Sequence, residues 1–253
     1  MDLGLTGKRA IVTGGTRGIG RKIVELLISE GCSVALCARD TGQVNAAIAD
    51  LAVDGQTVVG GVVDVADDEG LRDWIESAAA DLGGIDILIP NASALVGSAD
   101  VDAWRLGMEV DVLGTVRAVE AAMPYLEASD DASIVAIAST AAINTASGVR
   151  AYGGLKAALI TYMSNLSTNL GTKGIRTNTV SPGAIFFEGG VWDKRKTESP
   201  DVYAAAIKRS PMGRLGTPEE VANAVVFLAS PAASYISGTN IIVDGAVTTR
   251  VQF

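Results

Sequence analysis

The segment Thr13-Gly-Gly-Thr-Arg-Gly-Ile-Gly20 constrains this chain more than any other. It follows a short apolar run, Arg9 to Thr13. It opens a stretch whose apolar residues Ile19, Ile23, Leu26 and Leu27 fall at helical spacing. A strand that turns directly into a helix needs backbone conformations that side chains obstruct, and glycine supplies them. Gly14 permits the tight turn, Gly18 lets a phosphate approach the backbone, and Gly20 lets the helix sit close on the sheet. Ser33 to Ala38 then reads as a second buried strand, completing a βαβ unit. The spacing is G-x-x-x-G-x-G, not the G-x-G-x-x-G of the common dinucleotide fingerprint. Taken alone, the turn also fits a strand-to-helix connection without a ligand.

The same alternation continues along the chain. Residues 43–52 read as helix, and 57–64 as a strand interrupted at Gly60-Gly61. Residues 67–82 read as a helix with an acidic start, and 85–89 as a strand stopped by Pro90. Trp104, Met108, Val112, Val116, Val119 and Met123 recur at threes and fours, which predicts one long helix. A strand over 133–138, a helix marked by Leu155, Leu159, Tyr162, Leu166 and Leu170, and a strand over 175–180 follow. Thr217-Pro218 starts a helix with a cap and a proline in its first turn, and 240–244 is a last strand. This order predicts an α/β fold: a doubly wound, Rossmann-type parallel sheet of about seven strands with helices on both faces. Residues 1–253 are read as a single domain. Residues 184–210 mix Phe, Trp, Gly and charge without a period, and are read as an irregular lid. Aromatics make up only 5%, so the core must come from Val, Ala, Ile and Leu, as suits a parallel sheet covered on both faces.

The net charge of −9 argues against a nucleic-acid or anionic-membrane surface. No apolar run is long enough to span a bilayer, and the first residues lack a basic, then apolar, leader pattern, so a cytoplasmic protein is expected. The chain has no histidine, which removes His-based triads and ordinary His zinc sites, and no metal is expected. Cys32 and Cys37, at the second strand, are read as buried thiols.

A second anchor lies between Ser139 and Lys156. Tyr152 and Lys156 share one face of a helix, being four apart. A cation held beside a phenol favours the phenolate. Such a tyrosine is a general acid for a carbonyl oxygen or a general base for an alcohol, and Ser139 offers a hydroxyl for the same oxygen. Y-x-x-x-K alone also describes a surface lysine near a half-buried tyrosine. The end of the second strand bears on the cofactor. Arg39 and Arg17 match a ribose 2′-phosphate, whereas Asp40 turned inward would hold a 2′-hydroxyl. NADP(H) is the preferred expectation and NAD(H) the other.

Together these segments resemble the short-chain dehydrogenase/reductase family over nearly the whole chain. Thr13 to Gly20 is similar to the family's T-G-x-x-x-G-x-G turn, and Asp64-Val65 to the pair that meets the adenine. Ser139, Tyr152 and Lys156 resemble its catalytic serine and Y-x-x-x-K. Ile175-Arg-Thr-Asn-Thr-Val-Ser-Pro-Gly183 is similar to the segment beside the nicotinamide. Tyr235-Ile-Ser-Gly-Thr239 and Val243-Asp-Gly245 resemble its C-terminal signature. The resemblance implies proton exchange by Tyr152, with Lys156 holding the nicotinamide ribose and Ser139 orienting the carbonyl. It implies cofactor contacts from Gly14, Thr16, Arg17, Gly18, Ile19, Gly20, Arg39, Asp64, Val65, Asn91, Ala92, Tyr152, Lys156, Pro182, Gly183 and Ile185. It also implies a homotetramer in which helices of residues 103–127 and 152–171 pair across a dimer face.

The chain departs from the family pattern at several positions. Asp111 stands where the family carries a catalytic asparagine, and is a further candidate catalytic residue; asparagine there is expected to be tolerated. Pro90-Asn-Ala-Ser93 replaces N-N-A-G. Leu155 replaces a serine, and Gly153-Gly154 weakens the helix start. Phe187 replaces a threonine beside the nicotinamide amide. Phe186, Phe187 and Trp192, with Val191, are read as an apolar wall contacting substrate alongside Ser139 and Tyr152, or equally as side chains that plug the core or a subunit contact. Lys194, Arg195 and Lys196 suit either an anionic substrate or a solvated face. The preferred substrate is a hydrophobic secondary alcohol or its ketone. A 3-oxoacyl-(acyl-carrier-protein or CoA) reductase is the alternative: Tyr125-Leu-Glu-Ala-Ser-Asp-Asp131 is acidic where a carrier would dock, though Lys173 and Arg176 point the other way. A catalytically idle, cofactor-binding regulatory protein is the alternative of another class.

Overall fold

A computed structural model describes residues 2–144 and 148–249. Its strands are β1 (Arg9–Thr13), β2 (Ser33–Ala38), β3 (Val58–Val62), β4 (Ile87–Ile89), β5 (Ser133–Ile137), β6 (Arg176–Pro182) and β7 (Asn240–Val243). They form one seven-stranded sheet, ordered β3-β2-β1-β4-β5-β6-β7, and every pairing is parallel. Parallel neighbours need crossovers, and helices supply them. These are α1 (Gly18–Ser29), α2 (Thr41–Leu51), α3 (Asp68–Leu82), α4 (Val101–Gly107), α5 (Gly114–Glu127), α6 (Ala151–Leu170), α7 (Val191–Glu198), α8 (Pro200–Arg209) and α9 (Pro218–Ala229). No helix among the described residues is long and apolar enough to cross a membrane.

Side chains alternate across a strand, so each strand feeds both faces. Ala10 and Val12 of β1 join Ile23 and Leu27 of α1 and Val221 and Val225 of α9 in one cluster. Ile11, between them, joins Leu71 and Ile75 of α3 and Ala118 and Ala122 of α5 on the other side. Both faces are covered, as the doubly wound Rossmann-type reading requires. The helix at Thr217 starts with the expected cap: the Glu220 N–H donates to the Thr217 hydroxyl at 3.4 Å, and the Thr217 N–H to the Glu220 carboxylate at 2.9 Å. Cys32 and Cys37 are free and buried, and burial pushes both thiols up to about 12.

Three features differ from the sequence reading. Gly60 and Gly61 lie inside β3 and do not interrupt it. A methyl on Gly60 would sit 2.8 Å from Ile48 Cδ1, and one on Gly61 would meet the Trp74 indole, so these glycines let α2 and α3 close on the sheet. The long helix is divided by a π-helical turn, Met108–Leu113. The segment 184–210 is largely helical, as α7 and α8. The helix α7 has no buried residue and needs no apolar stripe, whereas α8 does carry an apolar side around buried Ala206 but is short.

Beneath the sheet, Asp86 binds Arg9 and Ser129. Its carboxylate accepts from Arg9 N at 2.9 Å, Nε at 2.8 Å and Nη2 at 2.7 Å, and from the Ser129 hydroxyl at 2.6 Å. Burial alone would push this carboxyl up, but the bonds from Arg9 and Ser129 outweigh it and hold it below the ordinary carboxylate range. A carboxyl lowered on folding stabilises the fold above its unfolded value of about 4, and that contribution disappears as pH falls through the folded value. Asp86→Asn should therefore lower the thermal midpoint at neutral pH and flatten its fall below about pH 4. Thermal melts across acid pH check this, and an unchanged acid limb would count against it.

Candidate active site

The order of the sheet reverses between β1 and β4, and in open parallel sheets ligands bind at the carboxyl ends of the strands at such a point. The glycine-rich turn lies there, braced on two sides. The Thr13 hydroxyl accepts the N–H groups of Asn91 at 3.0 Å and Ala92 at 3.1 Å. The Asn91 side-chain amide donates to the carbonyls of Thr13 and Gly14, each at 3.0 Å. Across the turn, the N–H groups of Gly14 and Gly15 donate to the Cys37 carbonyl at 2.8 and 3.2 Å. Gly14 and Gly18 have φ of 66° and 57°, as the expected turn demands. A methyl on Gly20 would collide with the Gly14 carbonyl and the Asn91 amide, so Gly20 is spent on the brace rather than the sheet. Gly15 faces the sheet, where a methyl would lie 2.8 Å from Leu36 Cβ.

The turn leads into α1, whose N-cap, Arg17, makes no side-chain cap bond, and whose first turn holds no acid. The first N–H groups of α1 and the exposed Arg17 are therefore suited to an anion. Arg39 is also exposed, its guanidinium 4.0 Å from the Asp64 carboxylate. Asp40 is engaged elsewhere: it caps α2 by accepting the Gln43 N–H at 2.8 Å, and the Thr16 hydroxyl lies 3.2 Å from the Gln43 side-chain oxygen. Ile19 is half-buried, and Val65 is buried against Gly114. Pro182 ends β6 and accepts from the Thr140 hydroxyl at 3.3 Å; Gly183 lies against Asp244, and buried Ile185 bridges to Gly216. A glycine cradle, free helix donors and two exposed guanidiniums fit a dinucleotide carrying an extra phosphate.

The proton-handling groups gather at β5. Ser139 follows the strand and accepts the Ala141 N–H at 3.1 Å, which leaves its O–H to donate. A methyl on Gly153 would lie 2.7 Å from the Ala141 carbonyl, so α6 begins directly against this turn. On the other side Trp104 covers Gly154, and Leu155 fills the space over Gly107. The two glycines therefore place the helix rather than fray it. Tyr152 sits half-buried in the first turn of α6. Lys156, one turn on, is only 2% exposed, with its ammonium 5.7 Å from the Tyr152 ring centre. The ammonium donates to the Ile137 carbonyl at 2.9 Å and pairs with Asp111 at 3.0 Å.

The aromatic residues of 184–210 divide. The Phe187 ring lies on the cofactor turn, 2.6 Å from where a Gly18 methyl would be. Phe186 meets Tyr203 edge-on at 6.2 Å with Lys196 over its face, and Trp192 lies under Arg195 at 4.6 Å. Those two rings make their aromatic and cation contacts within their own segment. Burial, and then the charge of Arg150, hold the Arg195 guanidinium below its ordinary range. Thr13, Gly15 and Ser93 were not marked as site residues in the sequence. Thr13 could have been noticed as a hydroxyl at the strand end; Ser93 carried no signal beyond a missing glycine. Gly20→Ala should cost about 1–3 kcal/mol of stability by overpacking. Gly97→Ala, with nothing within 4 Å of its new methyl, is the control. Equal thermal midpoints for the two variants would overturn this account of the brace.

Comparison with known proteins agrees with this geometry. A family model described as Enoyl-(Acyl carrier protein) reductase matches residues 14–248. The chain is 41% identical over 259 aligned positions to isoepoxydon dehydrogenase patN of Penicillium expansum, covering 100% of this chain and 99% of that one. An NADPH-bound short chain oxidoreductase of Pseudomonas aeruginosa PAO1 superposes with a TM-score of 0.89 at 32% identity, covering 96% of this chain and 98% of its own. L-Sorbose reductase of Gluconobacter frateurii, complexed with NADPH and L-sorbose, gives 0.90 at 30% identity, covering 99% and 100%. With relatives of one kind matching it from end to end, the chain belongs to the short-chain dehydrogenase/reductase family and is an oxidoreductase acting on alcohol or carbonyl groups.

Proposed function

We propose that this enzyme interconverts a hydrophobic secondary alcohol and its ketone with NADP(H), using Tyr152 as general acid and base. The carrying observation is the buried Lys156 ammonium, held by Asp111 and the Ile137 carbonyl 5.7 Å from the Tyr152 ring. The ammonium is held one helical turn from the phenol, which can exchange a proton with a substrate oxygen. The Ser139 O–H donates to the same oxygen and orients it. Two acceptors occupy two of the three N–H bonds of Lys156, leaving one for the cleft. NADP(H), when bound, supplies or accepts the hydride.

The cofactor preference is supported by Asp40, which is engaged in capping α2, and by the exposed guanidiniums of Arg17 and Arg39. Residues 184–210 serve as the lid, with Phe186, Phe187 and Trp192 as its apolar side. The acyl-carrier alternative is less favoured at the two positions that pointed to it. Arg176 is buried and donates to the Leu228, Ala229, Ser230 and Ala233 carbonyls at the end of α9, so it is not the surface charge it seemed. Lys173 is paired with Glu127 at 2.5 Å. The one charged residue of α6 is Lys156, which is buried. The uncharged outer side of α6 supports pairing of helices 103–127 and 152–171 in a homotetramer.

Tyr152→Phe should keep the fold and lose about 1,000-fold in kcat. Nicotinamide absorbance over a panel of ketones and secondary alcohols reads this, and full retained turnover refutes the assignment. NADPH bound but never oxidised across the panel would favour the idle regulatory protein. Arg39→Ala should weaken NADPH binding about tenfold and leave NADH binding alone. Tighter NADH than NADPH binding by the native enzyme would reverse the cofactor choice.

A further inference from the structure

Asp111 is the most enclosed charge near the site. Its side chain is 0% exposed and faces an ammonium that is 2% exposed. Every strong acceptor it offers is used. Oδ1 accepts from the Ser93 hydroxyl at 2.5 Å and from Lys156 at 3.0 Å, and Oδ2 accepts the Ala94 N–H at 2.9 Å. Its backbone carbonyl, in the π-helical turn, accepts the Thr115 hydroxyl at 2.9 Å. The Ser93 oxygen in turn accepts the Leu95 N–H at 3.2 Å. Leu95 has a φ of 50°, a left-handed conformation that a bulky side chain seldom adopts and that surrounding bonds must hold. This loop continues directly from Asn91 and Ala92, which brace the glycine-rich turn. One carboxylate therefore grips the lysine on one side and a strained cofactor-side loop on the other. The two positions where the chain departs from the family's asparagine and glycine touch each other here.

An amide cannot copy this arrangement. If its oxygen takes the Ala94 N–H, its NH2 faces the ammonium, donor against donor; if reversed, its NH2 faces Ala94. Either way a buried polar group loses its partner. The geometry thus points away from the expectation that asparagine at 111 is tolerated. We propose that Ser93 and Asp111 form a positioning pair: the carboxylate holds Lys156 directly, and Ser93 ties that hold to the loop of residues 93–95. Neither residue takes part in bond-making. The proposal rests on the Tyr152–Lys156 reading and deepens it.

The test is a double-mutant cycle of Ser93→Ala, Asp111→Asn and both together. Ketone reduction is followed through nicotinamide absorbance, with NADPH binding by fluorescence and thermal midpoints measured on the same proteins. A lysine displaced by a fraction of an ångström should cost Asp111→Asn about 100-fold in kcat, with KM within about threefold of native. Ser93→Ala should lose about tenfold, and the double variant should be no slower than Asp111→Asn, because Ser93 acts through the carboxylate. Asp86→Asn, which breaks a carboxylate cluster at the other end of the sheet, should lower the midpoint and leave kcat alone. If Asp111→Asn does not fold, Ser93→Ala decides: a native kcat overturns the pair, and a loss in kcat at constant KM supports it. Asp111→Asn with most of its kcat, a loss confined to KM, or single effects that multiply would each overturn it. An inactive Tyr152→Phe beside a native-like Asp111→Asn sinks the pair alone, whereas an active Tyr152→Phe sinks the reading beneath it.

Discussion

The contact between Lys156 and Asp111 organises the molecule around it. Removing two charges from water is costly, and their attraction offsets that cost only when geometry and further hydrogen bonds are good. Here the further bonds come from two places in the chain: the Ile137 carbonyl at the end of β5, and the loop after β4, which gives the Ser93 hydroxyl and the Ala94 N–H. Such a pair is a weak source of net stability and a strong source of position. It ties α6 to the end of β5, one helical turn from Tyr152.

Parallel strands make this convergence possible. Every strand delivers its carboxyl end to the same edge, so residues distant in the chain meet there. Thr13 and Asn91 meet across the point where strand order reverses, and Ile137, two residues before Ser139, and Pro182 end neighbouring strands. The helices then close in through small residues. Gly153 brings the start of α6 onto the backbone of the turn after β5, while Gly107 and Gly154 make room for the Leu155 and Trp104 side chains between α4 and α6. The apparent weakness of Gly153-Gly154 as helix formers is the cost of this closeness.

The parts of the site legible in the sequence are those whose chemistry is local. The glycine-rich turn shows itself because φ above zero demands glycine, and Tyr152 and Lys156 because a helix puts residues four apart on one face. The sheet was legible because buried parallel strands are nearly continuous apolar runs. The bond between Ser93 and Asp111 joins positions 18 residues apart through tertiary packing and leaves no periodic trace. The π-helical turn hid because Met108 and Val112 keep helical spacing through it. The helix α7 hid because a helix that buries nothing has no reason to be amphipathic, and α8 because its apolar side is short. Arg176 looked like surface charge in a motif and is instead the cap of α9, a role set by four carbonyls more than fifty residues away.

The two thiols of β2 and its approach have a practical consequence. Cys32 and Cys37 are shut away from solvent and hold their protons far above neutrality, so alkylating reagents meet almost no thiolate on the folded enzyme. A cysteine engineered onto the outer side of α7 would then carry a fluorophore with little background labelling. Such a label would report the surroundings of α7, beside the glycine-rich turn, on a chain otherwise unaltered.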